Sequence, residues 1–331
     1  MNQHSSQEIR NQQTDTRRIA ACGWAASVLG RGDLEFSVAS ADASFRRYFR
    51  AQDGRASWII MDAPPAHENC EAFVMIAKRL RAAGLNAPEI LAADLAQGFL
   101  LLSDLGSQTF LDVLNPENAD DFFSAAIEAL VTLQANASAD DLPLYDTTLL
   151  KRELDLYPDW YLAKHRDVRL DATEQRTWEN ACALLIESAL AQPQVFVHRD
   201  YMPRNLMVSD PLPGVIDFQD AVRGPVTYDV VSLFRDAFVS WPEKRVAGWA
   251  ADYRESAMRA GIVLPENFER AFDWMGLQRH LKVIGIFARL HYRDGKKKYL
   301  AETPRFFRYV YQIGGKYREF DALLELMRRY E

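Results

Sequence analysis

Residues 198–205 read His-Arg-Asp-Tyr-Met-Pro-Arg-Asn, and twelve residues beyond that Asn stands Asp217, inside Ile216-Asp217-Phe218. This order of two acids and an amide constrains the fold more than any other stretch. The three groups act together only if the chain doubles back between them. The flanking pattern predicts such a return: Leu206-Met207-Val208 and Gly214-Val215-Ile216 form the arms of a hairpin that brings Asp217 back beside Asn205. Val195-Phe196-Val197 predicts a short apolar strand leading into His198, and a strand that feeds a polar loop holds catalytic groups on a rigid support. Asp200 is then suited to orient or deprotonate a hydroxyl. Asn205 and Asp217 offer two oxygen donors, which suits Mg²⁺, an ion that takes few protein ligands and keeps water and phosphate oxygens.

The rest of the chain supplies two kinds of structure. A helix is predicted over Thr14–Leu29, after residues 1–13, which are expected to be disordered. Strands follow at Phe36–Ser40, Tyr48–Ala51 and Ser57–Met61, the last stopped by Pro64-Pro65. Glu68–Ala83 repeats apolar residues at Phe73, Ile76 and Leu80 and predicts a helix, followed by strands at Ile90–Asp94 and Gly98–Leu102. Beyond Gly106 the pattern turns helical, at Ala119–Asn136, Thr147–His165 and Ala172–Ala191, then in Val230–Phe238 and nearly everything after Tyr228. The expected class is α+β, with a small antiparallel-sheet lobe over residues 1–103 and a larger, mostly helical lobe over 104–331.

Composition excludes some functions. The 331 residues carry a net charge of −7, which argues against a nucleic-acid partner. The longest apolar runs fall far short of 18 residues, so no membrane partner is expected. The polar N-terminus lacks the apolar core of an export signal, which predicts a cytoplasmic protein. Cys22, Cys70 and Cys182 are scattered, without disulfide or metal spacing, and predict free thiols.

A third motif makes the pattern specific. Gly224-Pro225-Val226-Thr227-Tyr228-Asp229 follows Ile216-Asp217-Phe218-Gln219-Asp220-Ala221. With His198 to Asn205, these segments resemble the aminoglycoside-phosphotransferase and choline-kinase branch of the protein-kinase-like two-lobe fold. The resemblance implies ATP and Mg²⁺ as cofactors, Asp200 as the catalytic carboxylate, and Asn205 and Asp217 as metal ligands. It also implies structural support from His198, Arg199 and Asp229, the last tying its helix to the catalytic loop. It places the nucleotide against the hairpin turn Asp42-Ala-Ser-Phe-Arg-Arg-Tyr48, where Ser44, Arg46 and Arg47 are the candidate contacts. The hinge falls at Ser103, Asp104 and Leu105, whose backbone would meet adenine. The ATP would lie under that hinge.

One departure stands out. The kinase pattern puts a phosphate-pairing lysine near the end of the third strand, and Trp58-Ile-Ile-Met61 has none. Either an arginine such as Arg46 or Arg47 replaces it, or magnesium holds the nucleotide. Glu71, the family's partner for that lysine, then loses its evident role. The missing lysine, the turn through Arg50 and Met61-Asp-Ala-Pro-Pro65 together resemble a subgroup of bacterial cell-wall-recycling sugar kinases. These phosphorylate N-acetylmuramate and N-acetylglucosamine on the anomeric hydroxyl. Gln278 to Gly285 fits the same subgroup. The implied partner is a small amino sugar, bound by a monomer. Between Arg279 and Arg308 nine Lys or Arg face two Asp or Glu, a basic wall that suits a sugar carboxylate. Arg279, His280, Trp160 and Tyr161 are the candidate sugar contacts, within a set of aromatics that includes Tyr157, Trp241, Phe272 and Trp274. Core packing is the plainer role for any one of those aromatics. Two other readings stay open: a kinase for an aminoglycoside, choline-like or homoserine-like acceptor, and a nucleotide-binding pseudokinase.

Overall fold

The structure, a computed structural model, describes the backbone of residues 3–40 and 45–331 and the side chains of residues 16–39 and 45–331. Residues 3–13, expected to be disordered, are instead helical and continuous with the helix predicted from Thr14. The elements in chain order are α1 (Gln3–Leu29), β1 (Glu35–Ser40), β2 (Arg47–Asp53), β3 (Ala56–Asp62), α2 (Cys70–Ala82), β4 (Ile90–Asp94), β5 (Phe99–Ser103) and α3 (Phe110–Val113). There follow α4 (Ala119–Asn136), α5 (Thr147–Leu154), a π-helix (Tyr157–His165), α6 (Ala172–Leu190), β6 (Gln194–Val197), a 3-10 turn (Pro203–Asn205), β7 (Leu206–Met207), β8 (Gly214–Val215) and β9 (Val222–Pro225). The chain ends with α7 (Tyr228–Phe234), α8 (Glu243–Arg259), α9 (Phe268–Tyr292), α10 (Thr303–Gly314) and α11 (Asp321–Tyr330). It forms two compact units: Met1–Val113 with Leu206–Gln219, and Leu114–Asn205 with Asp220–Glu331.

The first unit is built on an antiparallel sheet of order β1-β2-β3-β5-β4. Alternation sets its faces: Phe49 and Ala51 of β2 join Ile60, Phe99 and Leu101 in a core closed by Ala21, Cys22 and Ala25 of α1. Each large side chain so buried contributes about 1.5–3 kcal/mol. α2 starts where the Asn69 side chain accepts from the backbone N–H groups of Glu71 and Ala72. It buries Phe73, Ile76 and Leu80, the face its periodicity predicts, and Gly84 ends it at φ +96°. The predicted hairpin is β7 and β8, with Leu206 opposite Val215. It is fastened by Val208 N–H to the Gln108 carbonyl and Val215 N–H to the Asn86 carbonyl, each 2.8 Å.

The second unit is organised around α9. Eighteen of its 25 residues are buried, so the helix presents core on every side. Its close approach to the π-helix depends on Gly285: a Cβ there would lie 2.2 Å from the Leu156 carbonyl carbon. The single helix predicted over Thr147–His165 is in fact two. Pro158 has no N–H to donate, so α5 stops at Leu154 and the chain rewinds with wider turns, ending in an Arg166 N–H to Tyr161 carbonyl bond. The helix predicted over Val230–Phe238 is also shorter, because the Asp236 carboxylate takes the N–H groups of Phe238 and Val239 and competes with helix continuation. β6 pairs antiparallel with β9, Val195 opposite Gly224.

All three cysteines are buried and free, and burial raises each thiol. Among the described residues no helix is long and apolar enough to cross a membrane.

Candidate active site

The candidate catalytic loop leaves β6 at Val197 and is held from below by Asp229. The backbone N–H groups of His198 and Arg199 donate to its two carboxylate oxygens at 2.6 and 3.0 Å. Asp229 is fully buried in the first turn of α7. Burial pushes its carboxyl up to about 7, against the pull of those two N–H donors. Arg199 sits at φ +76°, a left-handed conformation that a non-glycine residue keeps only where its surroundings impose it. His198 is buried, with its Nδ1 3.3 Å from the Asp200 N–H and its ring edge-on to Tyr201. The Tyr201 hydroxyl donates to the Ala126 carbonyl at 2.8 Å. Asn205 donates its side-chain N–H to the Asp200 carbonyl at 2.9 Å, which turns its amide oxygen the other way. The half-buried Asp200 therefore stands in a loop fixed at both ends.

Behind this loop lies a buried charge cluster. Glu153 of α5 accepts from Arg199 at 2.7 Å, Lys282 at 2.9 Å, Gln278 at 3.3 Å and the Tyr145 hydroxyl. Burial alone would raise the Glu153 carboxyl, but Lys282 and Arg199 prevail and hold it at about 2. Lys282 also donates to the Tyr228 hydroxyl at 2.9 Å. Glu153 shares a helix face with the buried Leu150, Leu154 and Tyr157. An acid at an apolar register position was the one available sequence signal.

In the first unit, Asp217 follows β8 at φ +63° and is exposed. Its Oδ1 accepts from the Gln219 amide at 3.0 Å, which gives a role to the residue that replaces the kinase glycine. Phe218 is fully buried and packs on Phe73 of α2, with ring centroids 4.9 Å apart. At the hinge, the Ser103 hydroxyl accepts from Glu89 N–H at 2.8 Å. Asp104 takes a two-pronged bond from Arg50, at 2.6 and 3.1 Å, and the Gly106 N–H at 2.9 Å. Burial works against the Asp104 charge, but those donors hold its carboxyl below the ordinary range. Asp104 therefore shapes the turn after β5, the segment expected to be the hinge. Leu105 packs where Gly214 leaves no room for a Cβ.

The arginines of the turn have different partners. Arg47 and Arg17 both bind Asp62, whose side chain is fully buried at the end of β3. Arg46 binds Glu68 at 2.8 Å. Glu71 is exposed on the first turn of α2. Ser44 lies outside the described residues.

Several expectations need correction. Arg279 is 3% exposed; its guanidinium lies over the Tyr228 ring and donates to that hydroxyl at 3.3 Å. His280 is 0% exposed, stacked on Tyr309 at 4.6 Å, and burial pushes its pKa down. Neither presents surface to a sugar. The basic wall also loses Lys282, Arg293 (paired with Asp294) and Arg305 (paired with Glu302). A charge count along sequence does not show which cations already have internal partners. Trp160 is half-buried. Tyr161 stacks on Tyr157 at 5.5 Å and lines a cavity of about 460 Å³ with His165, Arg166, Thr303 and Phe307. Tyr157, Phe272 and Trp274 are core, and Trp241 meets Phe123 and Trp249 edge-on.

Residues 35–262 match the phosphotransferase enzyme family, and the chain belongs to it. It is 57% identical over 296 residues, 88% of each chain, to a Pseudomonas aeruginosa protein named N-acetylmuramate/N-acetylglucosamine kinase. A Pseudomonas putida protein of the same name is 54% identical over 294 residues, 88% of this chain and 87% of that one. Among solved structures, the choline kinase LicA from Streptococcus pneumoniae superposes with a TM-score of 0.64 at 13% identity, covering 90% of this chain and 99% of the other. The protein thus has the protein-kinase-like fold, and it is a phosphotransferase.

Proposed function

We propose that the chain is an ATP-dependent kinase that phosphorylates the anomeric hydroxyl of N-acetylmuramate and N-acetylglucosamine. Its product is the sugar 1-phosphate, formed during peptidoglycan recycling. The observation that carries the choice of sugar is the 57% identity, over 88% of both chains, to a protein bearing that name. The chemistry rests on the catalytic loop. The Asp200 carboxylate accepts the proton of the sugar hydroxyl as that oxygen bonds to the γ-phosphorus, and the bond from phosphorus to the leaving ADP oxygen breaks with its electron pair. An anomeric hydroxyl is more acidic than other sugar hydroxyls, so an ordinary carboxylate suffices as the base. The donor set fits magnesium: an amide oxygen from Asn205, oriented by the bond to the Asp200 carbonyl, and a carboxylate from Asp217, both hard oxygen donors. When bound, that ion would neutralise charge on the phosphates.

Two measurements test this reading. ADP release across a panel of amino sugars, kanamycin, choline and homoserine should show turnover with the amino sugars, and phosphorus NMR should place the phosphate on the anomeric carbon. Activity with kanamycin and none with amino sugars overturns the substrate. Asp200→Asn should abolish turnover while ATP binding, followed by calorimetry, is retained. Near-normal turnover removes Asp200 from its role.

A further inference from the structure

The kinase pattern uses a lysine on the third strand to pair the phosphates and a glutamate on the next helix to hold that lysine. Here β3 offers only Met61, which is 0% exposed. The sheet register shows what stands beside it. Met61 is opposite Tyr48 of β2, and Arg46 stands two residues before Tyr48, just ahead of the first residue of β2. Its Nε donates to Glu68 at 2.8 Å, and the pair is mostly buried, with side chains 14% and 12% exposed. Glu68 immediately precedes Asn69, the cap of α2. A cation just ahead of β2 thus meets an acid just ahead of α2, which parallels the lysine and glutamate of the pattern.

The other arginines of the turn are placed differently. Arg47 shares Asp62 with Arg17, and Arg50 grips Asp104 and the Gly106 carbonyl. Both stabilise the fold of the sheet and hinge. The Tyr48 hydroxyl senses both Arg46 and Asp217, the candidate metal ligand. Burial pushes the Tyr48 hydroxyl up to about 12; Arg46, its hydrogen-bond partner, pulls it down, while Asp217 and Glu68 push it further up. Arg46 and Glu68 are in direct contact, and Arg46, Glu68 and Asp217 all act on the Tyr48 hydroxyl. A guanidinium carries five N–H donors in a planar fork, and that fork matches phosphate oxygens.

We infer that Arg46 takes over the phosphate-pairing role of the missing lysine and that Glu68 is its positioning residue, with Arg47 serving the sheet instead. The inference rests on the ATP-dependent reading given above.

The experiment compares Arg46→Ala, Arg46→Lys, Glu68→Gln and Arg47→Ala with the unchanged protein and Asp200→Asn. The readouts are kcat and KM for ATP, KM for N-acetylglucosamine, ADP affinity by calorimetry, and the thermal midpoint. Arg46→Ala should lower kcat/KM for ATP by about 10²–10³-fold, the range for removing one transition-state cation or donor. ADP should bind more weakly and the sugar KM should barely move, while the thermal midpoint should fall because Glu68 loses its counter-ion. Arg46→Lys should recover most of the loss, and Glu68→Gln should show a smaller loss of the same kind. Arg47→Ala should instead act chiefly on the thermal midpoint. If Arg46→Ala stays within threefold of the unchanged protein in kcat/KM for ATP, the inference is overturned. It is overturned equally if Arg47→Ala shows the ATP-specific loss at an unchanged midpoint. Failure of the underlying reading has a separate signature: the unchanged protein would not turn over ATP with any sugar, or Asp200→Asn would turn over normally.

Discussion

Arg199 illustrates how single residues fix the catalytic loop. Its left-handed backbone costs on the order of 1–3 kcal/mol. The structure offsets this from both sides, with Asp229 taking its N–H at 3.0 Å and Glu153 taking its side chain at 2.7 Å. Asp229 has a pH signature of its own. Its folded carboxyl is raised to about 7 from 3.8, so between those values the folded chain holds a proton that the unfolded chain has lost. By itself Asp229 makes stability decline as pH rises from about 4 to about 7, with no further change above. Asp229→Asn should remove that slope and lower stability by about 1–3 kcal/mol, since the amide turns a donor toward a backbone N–H. Urea unfolding from pH 4 to 8 checks both. At this scale the sequence was most legible where partners are close in order. His198, Asp200, Asn205 and Asp217 stand in one 20-residue stretch, whereas Glu153 and Lys282 meet across 129 positions, and the only local hint is an acid at an apolar register position.

Among elements, the Glu153 cluster joins α5, the catalytic loop, α7 and α9 through a single carboxylate. Because that carboxyl is lowered to about 2 from 4.5, its contribution is fully present above about pH 4.5 and is lost as pH falls toward 2. The shift corresponds to on the order of 3 kcal/mol. Glu153→Gln leaves Lys282 and Arg199 buried without their counter-ion, so it should destabilise by about 3–5 kcal/mol at pH 7. It should also flatten the acid side of the stability profile, measured by thermal melts between pH 2 and 7. Helix periodicity showed most elements in advance, because buried faces repeat in sequence. The break between α5 and the π-helix did not emerge that way. Apolar spacing continues through Leu154 and Tyr157, and only the missing N–H of Pro158 interrupts it.

At the level of the whole molecule, the chain leaves the first unit at Val113 and returns to it for Leu206–Gln219. That segment supplies the hairpin bonded to Asn86 and Gln108 and the Phe218 that packs on Phe73. A fragment of residues 1–113 lacks these partners. It should therefore fail to give a cooperative unfolding transition by circular dichroism, and adding a peptide of residues 206–219 should restore part of it. Recovery of a native-like melt by the fragment alone would show that the returning segment is dispensable.

The placement of the cysteines has a practical consequence. Cys22 and Cys70 lie in one unit and Cys182 in the other, all shielded from solvent with thiols held in the unreactive form. Alkylation of the native protein must wait for local opening, so each site reports how often its own surroundings open. Mass spectrometry of the three modified peptides would then time the opening of each unit separately, without any engineered label.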